Sequence, residues 1–230
     1  MQFKGIDLSH HQTTDVNFYK MKELGFEYVM LRAGYGKIPK QKDKNFEYFY
    51  KQASNAGLKV GAYHYSYAVS VQEAKEEARC FLGWISDKKL QYPVAYDIED
   101  KSQKTMSKSK RTDIALTWLE EMEHIGLIPM LYSSASWLGK RFDLSRLNSY
   151  DIWCACYTDK NDIKKYYNGK IDMWQYSSSI VIPEIYHSRL DHNISYKDYA
   201  EITLRRSSHA DKIGKSFFKP KANGREMCLK

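Results

Sequence analysis

Short apolar runs alternate with amphipathic segments along most of the chain. Residues 60–65 form a strand-like run, and residues 71–85 carry apolar side chains three or four positions apart, as one face of a helix requires. Eight strand candidates follow one another, from residues 3–8 to residues 188–193. Strands that alternate with helices of this length are typical of parallel βαβ units. The pattern therefore predicts an α/β domain.

The later strand candidates decide between two architectures. These later candidates are separated by loops rather than by clear helices. We therefore predict a single irregular (β/α) barrel, TIM-barrel-like, with a degenerate second half, and an open doubly wound sheet is the alternative. Gly34-Tyr35-Gly36 lacks the third glycine of a phosphate-binding loop, so no nucleotide cofactor is predicted.

Local signals mark the ends of three predicted helices. Ser70 and Glu73 have the spacing of a capping box at the start of one helix. Gly57 and Gly126 directly follow the predicted helices at residues 45–56 and 112–125. Glycine is favoured just past the last helical turn because it adopts the left-handed conformation without strain. The helix boundaries are therefore predicted from specific residues.

Polar and aromatic residues stand where the predicted strands end. In a parallel barrel the carboxyl ends of the strands form one face, and that face holds the active site. The residues at these ends are Asp7, Arg32, Tyr63, Tyr65, Asp97, Glu99, Tyr132, Trp174, Tyr176 and Asp191. We expect the four carboxyls to lie close together among the aromatic side chains.

Asp97 and Glu99 are the most informative pair because they stand at the end of the apolar strand predicted at residues 93–98. Strand side chains alternate between faces, so both carboxyls would face the barrel interior, about 6 to 7 Å apart along the backbone. Two partly buried like charges raise the pKa of one carboxyl, which can then protonate a glycosidic oxygen. The structural alternative is a solvated acidic turn. Asp7 and Asp191 at matching strand ends weaken that alternative.

Charge divides the chain at residue 202. The net charge is +8, and residues 203–230 hold eight Lys/Arg and two Asp/Glu, which leaves about +2 for residues 1–202. Because positive and negative charges nearly cancel in residues 1–202, the charge gives little reason to expect a nucleic acid as the binding partner. We predict a catalytic domain at residues 1–202 and a flexible basic tail at 203–230. A weak attraction of the tail to anionic wall polymers is its functional alternative.

Several other classes of protein are disfavoured. No apolar run reaches the roughly 20 residues of a spanning helix, so no membrane span is predicted. The start of the chain shows no apolar region of a signal peptide, which predicts synthesis in the cytoplasm. Reduced thiols are predicted for Cys80, Cys154, Cys156 and Cys228. His10 and His11 lack the usual ligand spacings, so no metal is expected.

Several motifs together carry a resemblance to a known family. They are KGIDLS (4–9), LRAGYG (31–36), GAYHYSYA (61–68), AYDIED (95–100), LYSS (131–134), IW (152–153), WQYSS (174–178) and LDHN (190–193). In this order and spacing, about residues 3 to 195 resemble the family 25 glycoside hydrolases, the Chalaropsis-type muramidases that include many phage endolysins.

The resemblance implies a lysozyme that cuts the β-1,4 bond between N-acetylmuramic acid and N-acetylglucosamine in bacterial peptidoglycan. Glu99 would be the general acid, and Asp97 its partner, orienting the N-acetyl group of the substrate. Asp7 and Asp191 would be the other acids of the groove. The groove aromatics would be Tyr63, Tyr65, Tyr132 and Trp174. A covalent intermediate, the substrate's own acetamido group and direct attack by water all stay open as routes.

Arg32 would either bind a substrate carboxylate or pair with Asp7 or Asp97. The enzyme is predicted to be a monomer that acts on the cell wall, released through a holin as a phage endolysin is, or exported by a bacterium. The alternatives are a chitinase-like glycosidase and a sugar-binding barrel without activity. Glu99 favours an enzyme, because a binding descendant usually loses the general acid.

Overall fold

Eight strands form one closed barrel in which each strand pairs with its neighbours in chain order. The structure is a computed structural model that describes residues 1–159 and 162–206. The strands are β1 (Phe3–Leu8), β2 (Tyr28–Tyr35), β3 (Lys59–Tyr65), β4 (Val94–Asp97), β5 (Pro129–Ser134), β6 (Asp151–Ala155), β7 (Met173–Ile182) and β8 (Tyr186–Ser195). The predicted barrel is confirmed, and the alternative of an open sheet is wrong.

The helices are distributed unevenly around the barrel. They are α1 (Phe18–Glu23), α2 (Phe46–Asn55), α3 (Val71–Ile85), α4 (Lys108–His124), α5 (Ala135–Arg141) and α6 (residues 199–206). In the described part of the chain between β6 and β7, the helical structure is the short 3-10 turn Ile163–Lys165. A loop at residues 183–185 joins β7 directly to β8. The prediction of a degenerate second half is therefore confirmed.

The direction of β8 differs from the expected parallel pattern. Neighbouring strands from β1 to β7 pair in parallel, whereas β8 is antiparallel to both β7 and β1. The short connection after β7 causes this reversal, because a parallel return would need a crossover of a dozen or more residues. The expectation that Asp191 ends the eighth strand is therefore wrong. Asp191 lies within β8 and pairs in register with Asp7.

Two apolar layers support the barrel. Inside it, Met130, Trp153 and Met173 are fully or almost fully buried and fill the space below the mouth. Outside it, Tyr96 on β4 stacks on Trp118 of α4 with ring centroids 4.8 Å apart. The predicted alternation along β4 is confirmed, because Tyr96 faces the helices whereas its neighbours on either side belong to the barrel interior.

The predicted helix ends agree with the structure, with one difference. The Ser70 hydroxyl accepts a hydrogen bond from the backbone N–H of Glu73 at 3.2 Å. The Glu73 carboxylate accepts from the backbone N–H of Val69, at 2.7 Å, rather than from that of Ser70. Gly57 and Gly126 have φ values of 75° and 85°, the left-handed conformation predicted for them.

The last helix of the described residues, α6, crosses the domain boundary predicted at residue 202. Tyr199 at its start is fully buried, with its ring 5.6 Å from that of Tyr92. Beyond the predicted boundary, the Thr203 hydroxyl donates to the Gln91 carbonyl at 3.1 Å, and Arg206 donates to the Leu127 carbonyl at 3.2 Å. The folded body therefore includes residues up to 206. The predicted flexible tail beyond that point lies outside the described residues.

Two further sequence-based expectations concern thiols and membranes. Cys80, Cys154 and Cys156 are free, as predicted, whereas Cys228 lies outside the described residues. Within residues 1–159 and 162–206, no helix combines the length and the apolar character that crossing a membrane requires.

Truncation tests the boundary of the folded body. A variant that ends at Ile202 loses the hydrogen bonds of Thr203 and Arg206, whereas a variant that ends at Arg206 keeps them. We expect the shorter variant to have a free energy of unfolding lower by about 1 to 3 kcal/mol, measured by urea denaturation. Equal stability of the two variants would show that residues 203–206 contribute nothing to the fold.

Candidate active site

A cavity of about 280 Å³ opens at the mouth of the barrel, where the parallel strands end. It is lined by Asp7, Ser9, His11, Gln12, Arg32, Tyr63, Tyr65, Asp97, Glu99, Tyr132, Trp153, Tyr157, Gln175 and Asp191. The structure thus brings together all four acids that the sequence singled out. Arg32, Tyr63, Tyr65 and Tyr132 join them in the same cavity.

Strand geometry places each of the four acids. Asp7 lies near the end of β1, and its register partner Asp191 projects from β8 to the same side, as directly opposed residues of antiparallel strands do. Asp97 is the last residue of β4, and Glu99 follows two residues later. Asp7 and Asp97 are buried, whereas Glu99 and Asp191 are half-buried.

Burial raises the pKa of all four carboxyls, and repulsion by neighbouring acids adds to it for Asp7, Asp97 and Glu99. Burial is the larger cause for Asp7 and Asp97, whose pKa values lie well above the ordinary range, and neighbouring acids add to it. Burial also raises the pKa of Glu99, followed by the charge of Asp191, and it raises the pKa of Asp191 to about 6. Each of these carboxyls therefore keeps its proton to a higher pH in the cavity than it would in water.

Two side-chain amides hold Asp7. The amide nitrogens of Gln175 and Asn193 donate to the same carboxyl oxygen of Asp7, at 2.8 and 2.7 Å. Trp153 donates its indole N–H to the Asn193 side-chain oxygen at 2.8 Å, which fixes the orientation of that amide. These donors lower the pKa of Asp7, although burial outweighs them. Asp7 is therefore held in one position.

Sequence reasoning missed Gln175 and Tyr157. The Gln175 side-chain oxygen accepts hydrogen bonds from the hydroxyls of Tyr132 and Tyr157, at 2.9 and 2.7 Å. Gln175 thereby links two aromatic residues of the cavity to Asp7. Strand alternation could have identified Gln175, because it stands between Trp174 and Tyr176, and neighbouring strand residues point to opposite faces.

Trp174 and Tyr176, both expected in the groove, do not line the cavity. The Trp174 indole donates to the Cys156 carbonyl at 2.9 Å, and the Tyr176 hydroxyl lies 3.4 Å from His192 Nδ1. Because Gln175 faces the barrel interior, its two neighbours face away from it. The structure therefore separates these two aromatic residues from the four acids.

Arg32 lines the cavity but does not pair as expected. Its Nε donates to the carboxylate of Asp43 at 2.8 Å, and its guanidinium also contacts His10. Asp43 is buried and additionally accepts the backbone N–H of His10 at 2.9 Å. The expectation of a direct pair with Asp7 or Asp97 is wrong, because the Arg32 guanidinium forms its ion pair with Asp43 instead.

Asp97 differs from Asp7 in its hydrogen bonding. Its Oδ1 is buried and has no hydrogen-bond partner among the described residues. Burying a polar atom without a partner costs free energy that a fold normally avoids. An unpaired oxygen beside a cavity is therefore available to a bound molecule.

Substitution of Asp191 tests the electrostatic cost of the cavity. Because its folded pKa of about 6 exceeds the ordinary value of 3.8, the stability it contributes is present below pH 3.8 and is lost as pH rises through 6. Asp191→Asn cannot ionise, so we expect it to melt above the wild type at pH 7.5, with the difference closing toward pH 4. Thermal unfolding followed by circular dichroism measures this.

Asp15→Asn is the matched control. A hydrogen bond from Thr13 is the main reason why the pKa of Asp15, an exposed carboxyl, is lowered, so its ionised form stabilises the fold. This control should not melt above the wild type at pH 7.5. An Asp191→Asn variant that melts below the wild type at pH 7.5 would contradict the electrostatic explanation.

Comparison with known proteins shows which family and which relatives this chain resembles. The sequence model of glycosyl hydrolases family 25 matches residues 6–185. The chain is 38% identical over 96 residues to the autolytic lysozyme of Clostridium acetobutylicum, which covers 42% of this chain and 28% of that protein. It is 28% identical over 143 residues to lysozyme M1 of Streptomyces globisporus, which covers 58% of this chain and 47% of that protein. The chain thus spans less than half the length of either relative.

Solved structures share the barrel. A family 25 glycosyl hydrolase from Bacillus anthracis superimposes with a TM-score of 0.73 at 20% identity, over 88% of this chain and 92% of that one. The lysozyme of Streptomyces coelicolor gives 0.72 at 21% identity, over 90% and 97%. At these identities the structures show a common fold. Because the family model covers well over half of the 230 residues, the chain belongs to glycosyl hydrolase family 25.

Proposed function

We propose that the protein is a lysozyme that hydrolyses the β-1,4 bond between N-acetylmuramic acid and N-acetylglucosamine in bacterial peptidoglycan. One observation carries this proposal: Glu99, a half-buried carboxyl with a raised pKa, shares a cavity with three further acids. The matched relatives support it, since both are named lysozymes. The bacterial cell wall is then the place of action, and peptidoglycan is the partner.

Glu99 acts as the general acid in this proposal. A carboxyl whose pKa is raised by burial keeps its proton closer to neutral pH, and it can transfer that proton to the glycosidic oxygen as the bond breaks. Asp191 contributes through its charge, which favours the protonated form of Glu99. The half-exposed position of Glu99 at the cavity mouth leaves room for the leaving sugar.

Asp97 and Asp7 have different parts because their hydrogen bonds differ. The unpaired Oδ1 of Asp97 can accept the N–H of the substrate's N-acetyl group, which would orient the reacting sugar. Asp7 is already held by Gln175 and Asn193, so its carboxyl group has a fixed position and orientation in the cavity. A preorganised carboxyl oxygen stabilises the positive charge that develops on the sugar in the transition state.

Aromatic walls complete the site. Tyr63, Tyr65 and Tyr132 stand around the acids, and the exposed Tyr157 stands at the rim. Tyrosine rings match the apolar faces of sugar rings, and their hydroxyls match the polar edges. These residues are therefore the proposed substrate-binding residues, together with Arg32. Holin-mediated release and a monomeric state stay predictions.

Glu99→Gln tests the proposal. Glutamine keeps the shape of the side chain but has no acidic proton to donate. We expect the release of reducing ends from purified peptidoglycan to fall by a factor on the order of 10² to 10⁴, because this is the usual contribution of general acid catalysis. A reducing-sugar assay measures it, with circular dichroism confirming that the variant is folded.

Glu120→Gln, on the exposed face of α4, is the control and should keep wild-type activity. Undiminished activity of Glu99→Gln would remove Glu99 as the acid. Cleavage of chitin oligomers without cleavage of peptidoglycan would favour a chitinase-like glycosidase instead. Binding of peptidoglycan fragments without any cleavage would favour a sugar-binding barrel.

A further inference from the structure

The two peptide bonds that flank Glu99 are both held by buried side chains outside the cavity. The Ser133 hydroxyl donates to the Ile98 carbonyl at 2.7 Å, and the Gln103 side-chain oxygen accepts the Asp100 N–H at 3.2 Å. Ser133 and Gln103 are fully buried. Because β4 ends at Asp97, Glu99 lies beyond the strand, and these side chains fix a segment that is not itself part of β4.

Gln103 is itself fixed by further hydrogen bonds. Its amide nitrogen donates to the Ser66 hydroxyl at 3.0 Å and to the Ala68 carbonyl at 3.1 Å. Both N–H groups and the oxygen of the amide are therefore used, so the side chain has one favoured orientation. Gln103 connects the segment after β4 to the segment after β3.

The chain of hydrogen bonds continues to α3. The Ser66 hydroxyl donates to the Tyr96 hydroxyl at 2.9 Å, and Tyr96 donates to the Glu77 carboxylate at 2.7 Å. The second oxygen of Glu77 accepts the backbone N–H of Tyr67 at 2.8 Å. Glu77 and Tyr96 are fully or almost fully buried. A buried network whose members are paired is rigid, because breaking any bond leaves an unsatisfied polar group.

We propose that Gln103 and Ser133 are positioning residues for the general acid, holding the backbone on both sides of Glu99, with Glu77, Tyr96 and Ser66 as the anchor on α3, β4 and the β3 loop. The inference rests on the proposed role of Glu99. It assigns a catalytic consequence to side chains that do not touch the substrate cavity.

The physical consequence concerns both the place and the acidity of Glu99. If the flanking peptide bonds are released, the carboxyl can move toward water, and the burial that raises its pKa is reduced. The proton donor then stands farther from the glycosidic oxygen and also ionises at lower pH. The titratable groups that interact with Glu99 from the surrounding strands and loops are Asp7, Asp97, Asp191, Tyr65, Tyr132 and Tyr157. None of them is changed by the substitutions below.

The test compares two pairs of variants on solubilised peptidoglycan. Gln103→Met and Ser133→Ala remove the bonds beside Glu99. Thr112→Val and Ser195→Ala are the controls, because they remove hydroxyls that are equally buried but bond away from Glu99. The Thr112 hydroxyl donates to the Lys108 carbonyl and accepts the Asp143 backbone N–H. The Ser195 hydroxyl donates to the Lys197 carbonyl. For each variant, kcat, KM, the pH–rate profile and the melting temperature are measured.

We expect kcat of Gln103→Met and Ser133→Ala to fall by a factor on the order of 10 to 100, with KM nearly unchanged. The alkaline limb of their pH–rate profiles should move to lower pH, because Glu99 must be protonated and loses its proton earlier. Both controls should melt at lower temperature yet keep the wild-type kcat and alkaline limb.

Two results would overturn different parts of this account. A wild-type kcat and alkaline limb in Ser133→Ala and Gln103→Met, with a lower melting temperature alone, would show that the network only stabilises the fold. Ser133→Ala loses one hydroxyl, so it decides the matter if Gln103→Met does not fold. A wild-type protein that releases no reducing ends would instead refute the proposed function.

Discussion

The antiparallel eighth strand is the constraint on which the geometry of the candidate active site depends. It closes the barrel by pairing with both β1 and β7, and its register sets Asp191 opposite Asp7. The mouth of the barrel thereby receives acids from its first and last strands as well as the Asp97/Glu99 pair from β4. The pairing of β8 with β1 therefore both closes the barrel and places Asp191 beside Asp7.

Placing four carboxyls in one cavity has an electrostatic cost that the rest of the fold offsets. Of the described residues that line the cavity, Arg32 is the one permanent cation, and it is already paired with Asp43. The pKa values of the four acids are therefore raised by their burial, because no other permanent cation among these described lining residues can form an ion pair with them. Functional sites commonly carry such local destabilisation, which the packed core around them tolerates. In the proposed function, the same cost favours the protonated form of Glu99, which a general acid needs.

The barrel and its acids could be predicted because their signals are local and periodic. Strand alternation correctly predicts that Asp97 faces the barrel interior and that Tyr96 faces the helices. The direction of β8 could not be predicted this way, because an apolar strand has the same alternation in either direction. The partner of Arg32 was also missed, because Asp43 lies eleven residues away in a loop whose path only the fold determines. Gln103 was overlooked because an isolated glutamine after an acidic motif has no distinctive pattern.

The most direct test of the central claim is mass spectrometry of peptidoglycan digested by the purified protein. Cleavage at the proposed bond leaves N-acetylmuramic acid at the new reducing ends, and reduction with borohydride before analysis labels that sugar. We expect reduced N-acetylmuramic acid in the products of the wild type and its absence from those of Glu99→Gln. New reducing ends that carry N-acetylglucosamine, or none at all, would contradict the assignment.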